Sequence, residues 1–250
     1  MKYFVTGATG FVGGHLVRQL IDAGHEVRCL VRDPARAAEL ARRGATLHAG
    51  DITDKASLVE PMRGADGVFH LAAWYKVGVR DVGQAAPANI NGTRNVLELM
   101  QTLAIPKGVY TSTLAVNSDT RGQLADESYR FSGEHLTEYD RTKAAAHRLA
   151  EEFIAQGLPL VIVMPGLIYG PGDNSTVRDM LLQFLKRLLP MVPRETAFSW
   201  AHVDDVAHAH ILAMEKGRVG EKYIVCGQTH TLAEGFKVAA DLLGRRAPIA

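Results

Sequence analysis

A short apolar strand at residues 2–6 leads directly into three regularly spaced glycines, Gly7, Gly10 and Gly13. Apolar residues then recur at intervals of three and four across residues 16–21, which is typical of a helix. A strand that turns through glycines into a helix presents backbone N–H groups and the positive end of the helix dipole to an anion. Glycines also lack the Cβ atoms that would keep a pyrophosphate at a distance. The pattern therefore predicts a dinucleotide-binding turn.

Strand-like and helical patterns alternate along the first part of the chain. The predicted strands cover residues 2–6, 26–31, 45–49, 67–71, 107–112 and 159–164. The predicted helices cover residues 11–23, 34–43, 55–62, 88–103 and 136–156. Such alternation implies right-handed crossovers between parallel strands. We therefore expect an α/β fold, with a doubly wound parallel sheet of the Rossmann type covered by helices on both faces.

Tyr139 and Lys143 are four residues apart in the predicted helix 136–156, so both side chains leave the same face. The ammonium of Lys143 is expected to lower the pKa of the Tyr139 phenol from about 10 toward the working pH. Such a phenol can exchange a proton with a substrate oxygen, which hydride transfer at the attached carbon requires. The spacing alone is weak evidence, because the same pair occurs by chance on many solvated helix faces. It gains weight from the glycine turn.

Together, the glycine turn and the Tyr-x3-Lys pair resemble the short-chain dehydrogenase/reductase superfamily, and specifically its extended branch of epimerases, dehydratases and ketone reductases. The likeness covers nearly the whole chain. Further segments resemble motifs of that family in the expected order: Gly50–Ile52, His70–Ala73, Asn91–Thr93, Thr111–Thr113, Met164–Asp173 and His202–Val206. The resemblance implies an NAD(P)-dependent oxidoreductase or epimerase, and Val31–Pro34 favours relatives of the dihydroflavonol-reductase type.

The resemblance also implies a set of catalytic residues. Tyr139 would exchange the proton, while Lys143 would lower its pKa and bond the nicotinamide ribose. A hydroxyl at the end of the fifth predicted strand would orient the substrate oxygen. Thr113 is preferred over Ser112, because side chains alternate faces along a strand, although either hydroxyl could instead make a local turn bond. Asn91 would hold the active-site backbone or a water near the lysine, and would serve equally well as a helix N-cap.

The residues after the second predicted strand bear on the choice of cofactor. Enzymes that select NAD usually end this strand with Asp or Glu, which binds the ribose hydroxyls and repels a 2′-phosphate. The corresponding residue is Val31, and Arg32 after it can bind a phosphate through paired hydrogen bonds. Arg36 could add a second contact. NADP(H) is therefore favoured, whereas pairing of Arg32 with Asp33 would leave NAD(H) equally usable.

The resemblance implies further contacts to the dinucleotide. Asp51 would hydrogen-bond near the adenine, and small residues after the fourth strand would let the cofactor lie against the strand ends. The expected cofactor-binding residues are Gly7, Thr9, Gly10, Phe11, Val12, Gly13, Arg32, Asp51, Ile52, Leu71, Ala72, Ala73, Tyr139, Lys143, Pro165, Gly166 and Ile168.

The resemblance divides the chain into two parts. Residues 1–165 would form the dinucleotide-binding core, to which residues 202–226 return, while residues 166–201 and 227–250 would form a small C-terminal substrate lobe. The helical patterns in these later segments cover residues 177–189, 202–216 and 232–243. Because extended members usually continue for several more elements, the lobe is expected to be either a compact version or incomplete at its C-terminal end.

The composition excludes several classes of protein. Among 250 residues, 47% are hydrophobic and 22% charged, which is typical of a globular protein. The net charge of +1 offers no basic field for nucleic acid, and no run of about 20 apolar residues could span a bilayer. Cys29 and Cys226 lie in apolar strand-like runs, which indicates core packing in a reducing compartment. We expect a cytoplasmic protein without nucleic-acid or membrane partners, and the resemblance makes a homodimer a reasonable expectation.

The histidines do not indicate a metal site. His208 and His210 are two residues apart on a predicted helix and so point to different sides, and no Cys or carboxylate repeats nearby at ligand spacing. His202 and Asp204–Asp205 are instead expected to cap and anchor that helix. No metal is expected.

Three functions remain open at this point. The first is NADPH-dependent reduction of a ketone or aldehyde, and the second is epimerisation of a nucleotide sugar by the same Tyr and Lys. Dehydration is disfavoured, because Leu114 and Ala115 stand where the resemblance places an Asp-Glu pair in dehydratases. The third, a non-catalytic NADP-binding sensor, conflicts with the retention of Tyr139 and Lys143.

Side-chain types alone outline the substrate cleft. An aromatic or apolar carbonyl compound would suit walls built from Trp74, Tyr75, Lys76, Phe131, His135 and Phe198. A diphosphate could instead meet Arg178, Lys186 or Arg194. Each of these residues could equally be core filler or a solvated charge.

Overall fold

The computed structural model describes residues 1–75 and 79–249. Its first strands and helices are β1 (Lys2–Thr6), α1 (Phe11–Asp22), β2 (Glu26–Val31), α2 (Ala38–Arg42), β3 (Thr46–Ala49), α3 (Lys55–Met62) and β4 (Gly67–His70). Next come α4 (Thr93–Thr102), β5 (Gly108–Thr111), α5 (Glu138–Ala155), β6 (Leu160–Pro165) and β7 (Leu167–Tyr169). The last are α6 (Thr176–Leu185), β8 (Ala197–His202), α7 (Val203–Glu215), β9 (Lys222–Val225), β10 (Thr229–Thr231) and α8 (Leu232–Leu242).

Within the described residues, seven strands form one parallel sheet in the order β3-β2-β1-β4-β5-β6-β9. From β1 the chain builds outward through β2 and β3, and then returns to the other side of β1 at β4. The strand order therefore reverses between β1 and β4, and such a reversal opens a crevice at the carboxyl ends of the strands. This arrangement confirms the expected α/β fold with a doubly wound sheet of the Rossmann type.

Apolar side chains cover both faces of this sheet. In β1, Phe4 packs among residues of α3, α4 and α5, whereas its neighbour Val5 packs among residues of α1 and α7. All six residues of β6 are buried, as a strand with helices on both faces requires. The two apolar layers hold the carboxyl ends of the strands in fixed positions, and the expected site residues lie at those ends.

In the described part of the chain, three further strands form a second sheet in the order β10-β8-β7. β7 follows β6 after the single residue Gly166, and β8 leads into α7, which packs on α1. α6 and α8 enclose a small apolar cluster that includes Phe184 and Phe236. α8 begins with a capping box between Thr231 and Glu234. β7, α6, β8, β10 and α8 fall in the segments expected to form the substrate lobe, whereas α7 falls in the segment expected to return to the core. The division into core and lobe stays a prediction.

Two helices depart from the sequence pattern. The pattern at 88–103 predicts one α-helix, whereas its first turn, Pro87–Gly92, is a wider π-helical turn. The pattern at 177–189 predicts a longer helix than α6, which ends at Leu185 before Arg187 takes a left-handed φ of 61°. By contrast, the cap expected from His202 is confirmed, because its ring accepts a hydrogen bond from the N–H of the second residue of α7.

The two cysteines have different environments. Cys29 is buried in β2, and burial raises the pKa of its thiol to about 12. Cys226 is exposed, so its expected place in the core is wrong, because β9 ends one residue earlier at Val225. No helix within residues 1–75 and 79–249 is both long and apolar enough to cross a membrane.

Candidate active site

The turn between β1 and α1 closes tightly on itself. The N–H of Gly10 donates to the carbonyl oxygen of Gly7 over 2.9 Å, and Gly7 takes a left-handed φ of 75°. A Cβ at Gly7 would lie 2.6 Å from the backbone nitrogen of Ala72, and one at Gly13 would lie 2.1 Å from the Gly7 oxygen. Glycine alone fits at these two positions, so the start of α1 lies directly against the ends of β1 and β4.

The N-terminus of α1 has the features of an anion site. Its N-cap is Gly10, which supplies no capping side chain, and the first turn of this described helix carries no acidic residue. Thr9 is exposed beside the turn, while Phe11 and Val12 are half-buried. The first N–H groups of a helix have no intrahelical partner, and the helix dipole favours negative charge there. These residues therefore fit the pyrophosphate that the sequence pattern predicts.

Arg32 is exposed at the end of β2, directly after the buried Val31. The carboxylate of Asp33 accepts the N–H of Ala35 at 3.0 Å, and this bond begins a tight 3-10 turn, Pro34–Ala37, in place of the first part of a predicted helix. Asp33 is thereby engaged with the backbone, and Arg32 makes no ion pair within residues 1–75 and 79–249. The Arg32 guanidinium is thus accessible to a phosphate group.

Asp51 and Ile52 follow β3, the neighbour of β2. One carboxylate oxygen of Asp51 accepts hydrogen bonds from the backbone N–H of Thr53 at 2.8 Å and from its hydroxyl at 2.7 Å. Ile52 is buried, and its side chain fills the space where Gly92 has no Cβ. Arg36 is exposed within the 3-10 turn that follows Arg32. The residues expected near the adenosine therefore lie at the ends of adjacent strands.

Lys143 is buried within α5, with 3% of its surface exposed. Its ammonium donates to the phenol oxygen of Tyr110 at 3.1 Å and to the carbonyl oxygen of Thr111 at 2.8 Å. Burial lowers the pKa of Lys143 to about 7. The amine is therefore poised between its charged and neutral forms near neutral pH, and both of its partners come from β5.

Tyr139 lies one helical turn before Lys143, on an α5 whose first turn is capped by the hydroxyl of Thr137. Burial raises the pKa of the Tyr139 phenol, a hydrogen-bonding interaction with the Thr113 hydroxyl opposes the rise, and the charge of Asp140 adds to it. The sequence-based expectation that Lys143 lowers this pKa is not met here, because the lysine amine is directed at β5. The phenol is thus kept protonated at neutral pH.

Thr113 and Ser112 face different surroundings. The Thr113 hydroxyl accepts the N–H of Ala115 at 3.2 Å, which caps the short 3-10 turn Leu114–Asn117. Its interaction with the Tyr139 phenol lowers the pKa of that phenol. Ser112 is buried, and its hydroxyl is bonded to the ring of His147 at 2.7 Å. Thr113 therefore interacts with the phenol and Ser112 is directed into the core, although both residues lie just past the end of β5 at Thr111.

Asn91, the asparagine expected near the lysine, is exposed. The buried asparagine is Asn89, whose side-chain oxygen accepts the N–H of Trp74 at 2.7 Å. Its amide donates to the carbonyl oxygen of Trp74 at 3.0 Å and to the hydroxyl of Thr142 at 2.9 Å. Asn89 therefore joins the chain after β4 to the residue before Lys143. Both asparagines lie in the π-helical turn, so the sequence pattern alone gave no means of choosing between them.

The remaining expected cofactor contacts lie at the same ends of the strands. Leu71, Ala72, Ala73 and Ile168 are half-buried, and Pro165 is buried. A Cβ at Gly166 would lie 2.1 Å from the carbonyl oxygen of Ser199, so the end of β6 packs directly on β8. The N–H of Ala72 donates to the hydroxyl of Thr6 at 3.2 Å, which ties the end of β4 to the end of β1.

The residues expected around the substrate are unevenly buried. Tyr75, Phe198, Arg178, Lys186 and Arg194 are exposed, Trp74, Phe131 and His135 are half-buried, and Lys76 lies outside the described residues. The rings of Phe131 and His135 are 5.0 Å apart. Within the described part of the chain, no group of three or more His, Cys, Asp or Glu side chains could hold a metal ion.

Comparison with known proteins identifies the family. A model of the NAD dependent epimerase/dehydratase family matches residues 3–226. The chain belongs to this family. It is 35% identical over 254 residues to a Synechocystis sp. protein provisionally named dihydroflavonol 4-reductase, with 98% of this chain and 74% of that protein covered. The expected place in the extended short-chain dehydrogenase/reductase superfamily is thereby confirmed.

Members of the family with different reactions are similar to this chain. The 4-hydroxy-2-methyl-3-oxo-4-farnesyl-3,4-dihydroquinoline-1-oxide ketoreductase of Stigmatella aurantiaca is 32% identical, covering 90% of this chain and 68% of that protein. The structure of the UDP-glucose 4-epimerase of Thermus thermophilus, a complex with NAD, is 27% identical with a TM-score of 0.82, covering 100% of this chain and 86% of that one. The family and these relatives indicate an NAD(P)-dependent oxidoreductase or epimerase.

Proposed function

We propose that the protein is an NADP(H)-dependent reductase that converts a ketone or aldehyde to an alcohol, with Tyr139 as the proton donor. The observation that carries this proposal is the placement of the Tyr139 phenol beside the Thr113 hydroxyl, one helical turn from the buried amine of Lys143. The glycine turn at the start of α1 supports a dinucleotide at the same ends of the strands.

Each residue has a stated task in the proposed reaction. A bound nicotinamide supplies the hydride. The Thr113 hydroxyl donates a hydrogen bond to the substrate carbonyl oxygen, and Tyr139, whose raised pKa keeps the phenol protonated, gives that oxygen its proton. Lys143 would bond the nicotinamide ribose through a charge-assisted hydrogen bond, which needs the protonated form of its amine. Arg32 binds the 2′-phosphate that distinguishes NADPH from NADH.

Reduction is preferred over the other reactions of the family. The curated relatives described above include a ketoreductase. The positions after Thr113 are Leu114 and Ala115, which offer neither the acid nor the base that loss of water would need at neighbouring carbons. Retention of Tyr139 and Lys143 argues against a binding protein that only senses NADP. Epimerisation of a nucleotide sugar is the second candidate, because the likeness to an NAD-bound epimerase extends over the whole chain.

The test is to incubate purified protein with NADPH, in parallel with NADH, and a panel of ketones, aldehydes, UDP-sugars and GDP-sugars. Net consumption of NADPH with a carbonyl compound is the expected result. Interconversion of sugars without net change in the cofactor would replace the reductase proposal by the epimerase. Binding of NADPH without turnover of any compound, under conditions where the folded protein is confirmed by circular dichroism, would contradict both.

A further inference from the structure

The amine of Lys143 is held by a second tyrosine. Tyr110 in β5 is 1% exposed, and its phenol oxygen accepts a hydrogen bond from the lysine at 3.1 Å. The same amine lies 4.8 Å from the centre of the Tyr110 ring, within reach of its π electrons. Thr111 contributes a carbonyl oxygen at 2.8 Å. The distal end of the catalytic lysine is therefore anchored to two consecutive residues of one strand.

Tyr110 is itself part of a buried polar chain. Its ring stacks on His70 with centroids 5.6 Å apart and an interplanar angle of 27°, and its phenol interacts with the hydroxyl of Thr93. The two ring nitrogens of His70 are bonded to Thr93 at 3.0 Å and to Thr6 at 2.7 Å. The Thr6 hydroxyl also accepts the N–H of Ala72. The chain thus runs from the lysine to the strand end beside the glycine turn.

The chemistry of the groups fixes the direction of the hydrogen bond between Lys143 and Tyr110. An ammonium has only donors, so the Tyr110 oxygen must accept. Burial lowers the pKa of His70 to about 3, with the charge of Lys143 acting in the same direction. The imidazole is therefore neutral and has one donor and one acceptor, which the hydroxyls of Thr6 and Thr93 satisfy. These buried partners hold the phenol oxygen of Tyr110 toward the lysine amine.

We propose that Tyr110 is a positioning residue that keeps the Lys143 amine charged and in place at the active site. The groups that face this amine are Tyr110 and the Thr111 carbonyl from β5 and neutral His70 from β4. Tyr139, on the same helix as the lysine, interacts with Tyr110 and with Asp140 beside it. The expected effect of Tyr110 on turnover rests on the proposed function, whereas its expected effect on the pKa of Lys143 does not.

The amine can be titrated directly in protein labelled with 13C-lysine, without substrate or cofactor. The substitution Lys143→Met identifies the signal that belongs to Lys143. The hydrogen bond from Lys143 to Tyr110 stabilises the charged form of the amine. Tyr110→Phe is therefore expected to move the titration midpoint of Lys143 from about 7 downward by about half to one pH unit. Tyr223→Phe is the control, since it removes a half-buried phenol that bonds the N–H of Arg218 in the same sheet. A midpoint unchanged by Tyr110→Phe would overturn the proposal.

Turnover supplies the second measurement. With the lysine midpoint shifted by that amount, the charged fraction at pH 7 falls by about two- to five-fold, and kcat of Tyr110→Phe should fall equally while KM stays nearly constant. The loss should recover below about pH 6, which a purely structural defect would not do. If Tyr110→Phe does not fold, Thr93→Val tests the same chain, with a smaller shift in the same direction expected and no shift counting against it.

The two proposals can fail separately. Loss of turnover in Tyr139→Phe, together with a normal lysine titration and a normal pH profile in Tyr110→Phe, would overturn the inference about Tyr110 alone. Undiminished turnover in Tyr139→Phe would overturn the proposed function, and the lysine titration would still decide whether Tyr110 holds the amine.

Discussion

The glycine turn allows a sharp comparison between two neighbouring substitutions, Gly13→Ala and Gly14→Ala. Both add one methyl group to the first turns of α1. A Cβ at Gly13 would lie 2.1 Å from the carbonyl oxygen of Gly7, whereas one at Gly14 would meet its nearest atom, the carbonyl oxygen of Ala8, at 3.8 Å. The second distance is an ordinary contact, and the first requires the backbone to move.

The size of the backbone movement sets the expected loss of stability in Gly13→Ala. Real Cβ atoms essentially never approach closer than 3.0 Å, so the start of α1 must shift from β1 by roughly 1 Å. Overpacking of this kind costs about 1–3 kcal/mol, and weakening the bond from Gly10 to Gly7 adds about 1 kcal/mol. Alanine in place of glycine in a helix returns up to about 1 kcal/mol. Gly13→Ala should therefore lower the free energy of unfolding by about 1–3 kcal/mol, while Gly14→Ala should leave it unchanged or raise it slightly.

Urea denaturation of the two variants measures this difference in the free energy of unfolding. Calorimetric titration with NADPH measures whether the start of α1 still binds the pyrophosphate. Displacing the first N–H groups of α1 from the pyrophosphate should weaken NADPH binding by Gly13→Ala at least about tenfold, because hydrogen bonds to charged groups contribute about 1.5–3 kcal/mol. Equal stability of the two variants would refute the argument from backbone contact. Normal NADPH affinity in a destabilised Gly13→Ala protein would refute the placement of the pyrophosphate.

Further predictions concern the cofactor and the dependence of stability on pH. Arg32→Ala should weaken NADPH binding by about 10- to 100-fold and NADH binding by less than about threefold, as measured by calorimetry. Arg42→Ala is the control, because Arg42 is a surface residue that pairs with Glu39. Equal losses for both cofactors would show that Arg32 does not contact the 2′-phosphate. Burial lowers the pKa of His70 to about 3 and of His210 to about 4, below the usual 6.5, so the unfolded chain binds protons that the folded chain excludes as pH falls from 6.5 toward 4. The free energy of unfolding should then fall by about 1.4 kcal/mol per pH unit for each histidine, and urea midpoints that stay constant between pH 7 and pH 5 would contradict this.

The sequence was sufficient for the fold where the signal is periodic and local. β1, the glycine turn and α1 follow from apolar spacing and from the absence of side chains, and the structure places them within one or two residues of the predicted bounds. Parallel strands then bring their carboxyl ends together, so residues far apart in the chain were correctly expected at one edge.

Tertiary contacts decide the parts that the sequence did not predict. The burial of Asn89 and the exposure of Asn91 depend on a π-helical turn that helical periodicity does not reveal. Tyr110 is one apolar position in a buried strand by pattern, and only packing shows that its oxygen meets a lysine. The pKa of Tyr139 departs from expectation for the same reason, because the direction of the lysine amine is set by β5 and not by the spacing of the two residues on α5.

The central claim is that the Tyr139 phenol supplies a proton to a substrate whose hydride comes from a bound nicotinamide. The most direct measurement compares Tyr139→Phe with the unaltered protein, following NADPH binding by calorimetry and NADPH consumption with the carbonyl compound that is turned over. The account predicts a fall in kcat of at least about 100-fold with NADPH affinity nearly unchanged. Turnover that survives the loss of this single oxygen would contradict it.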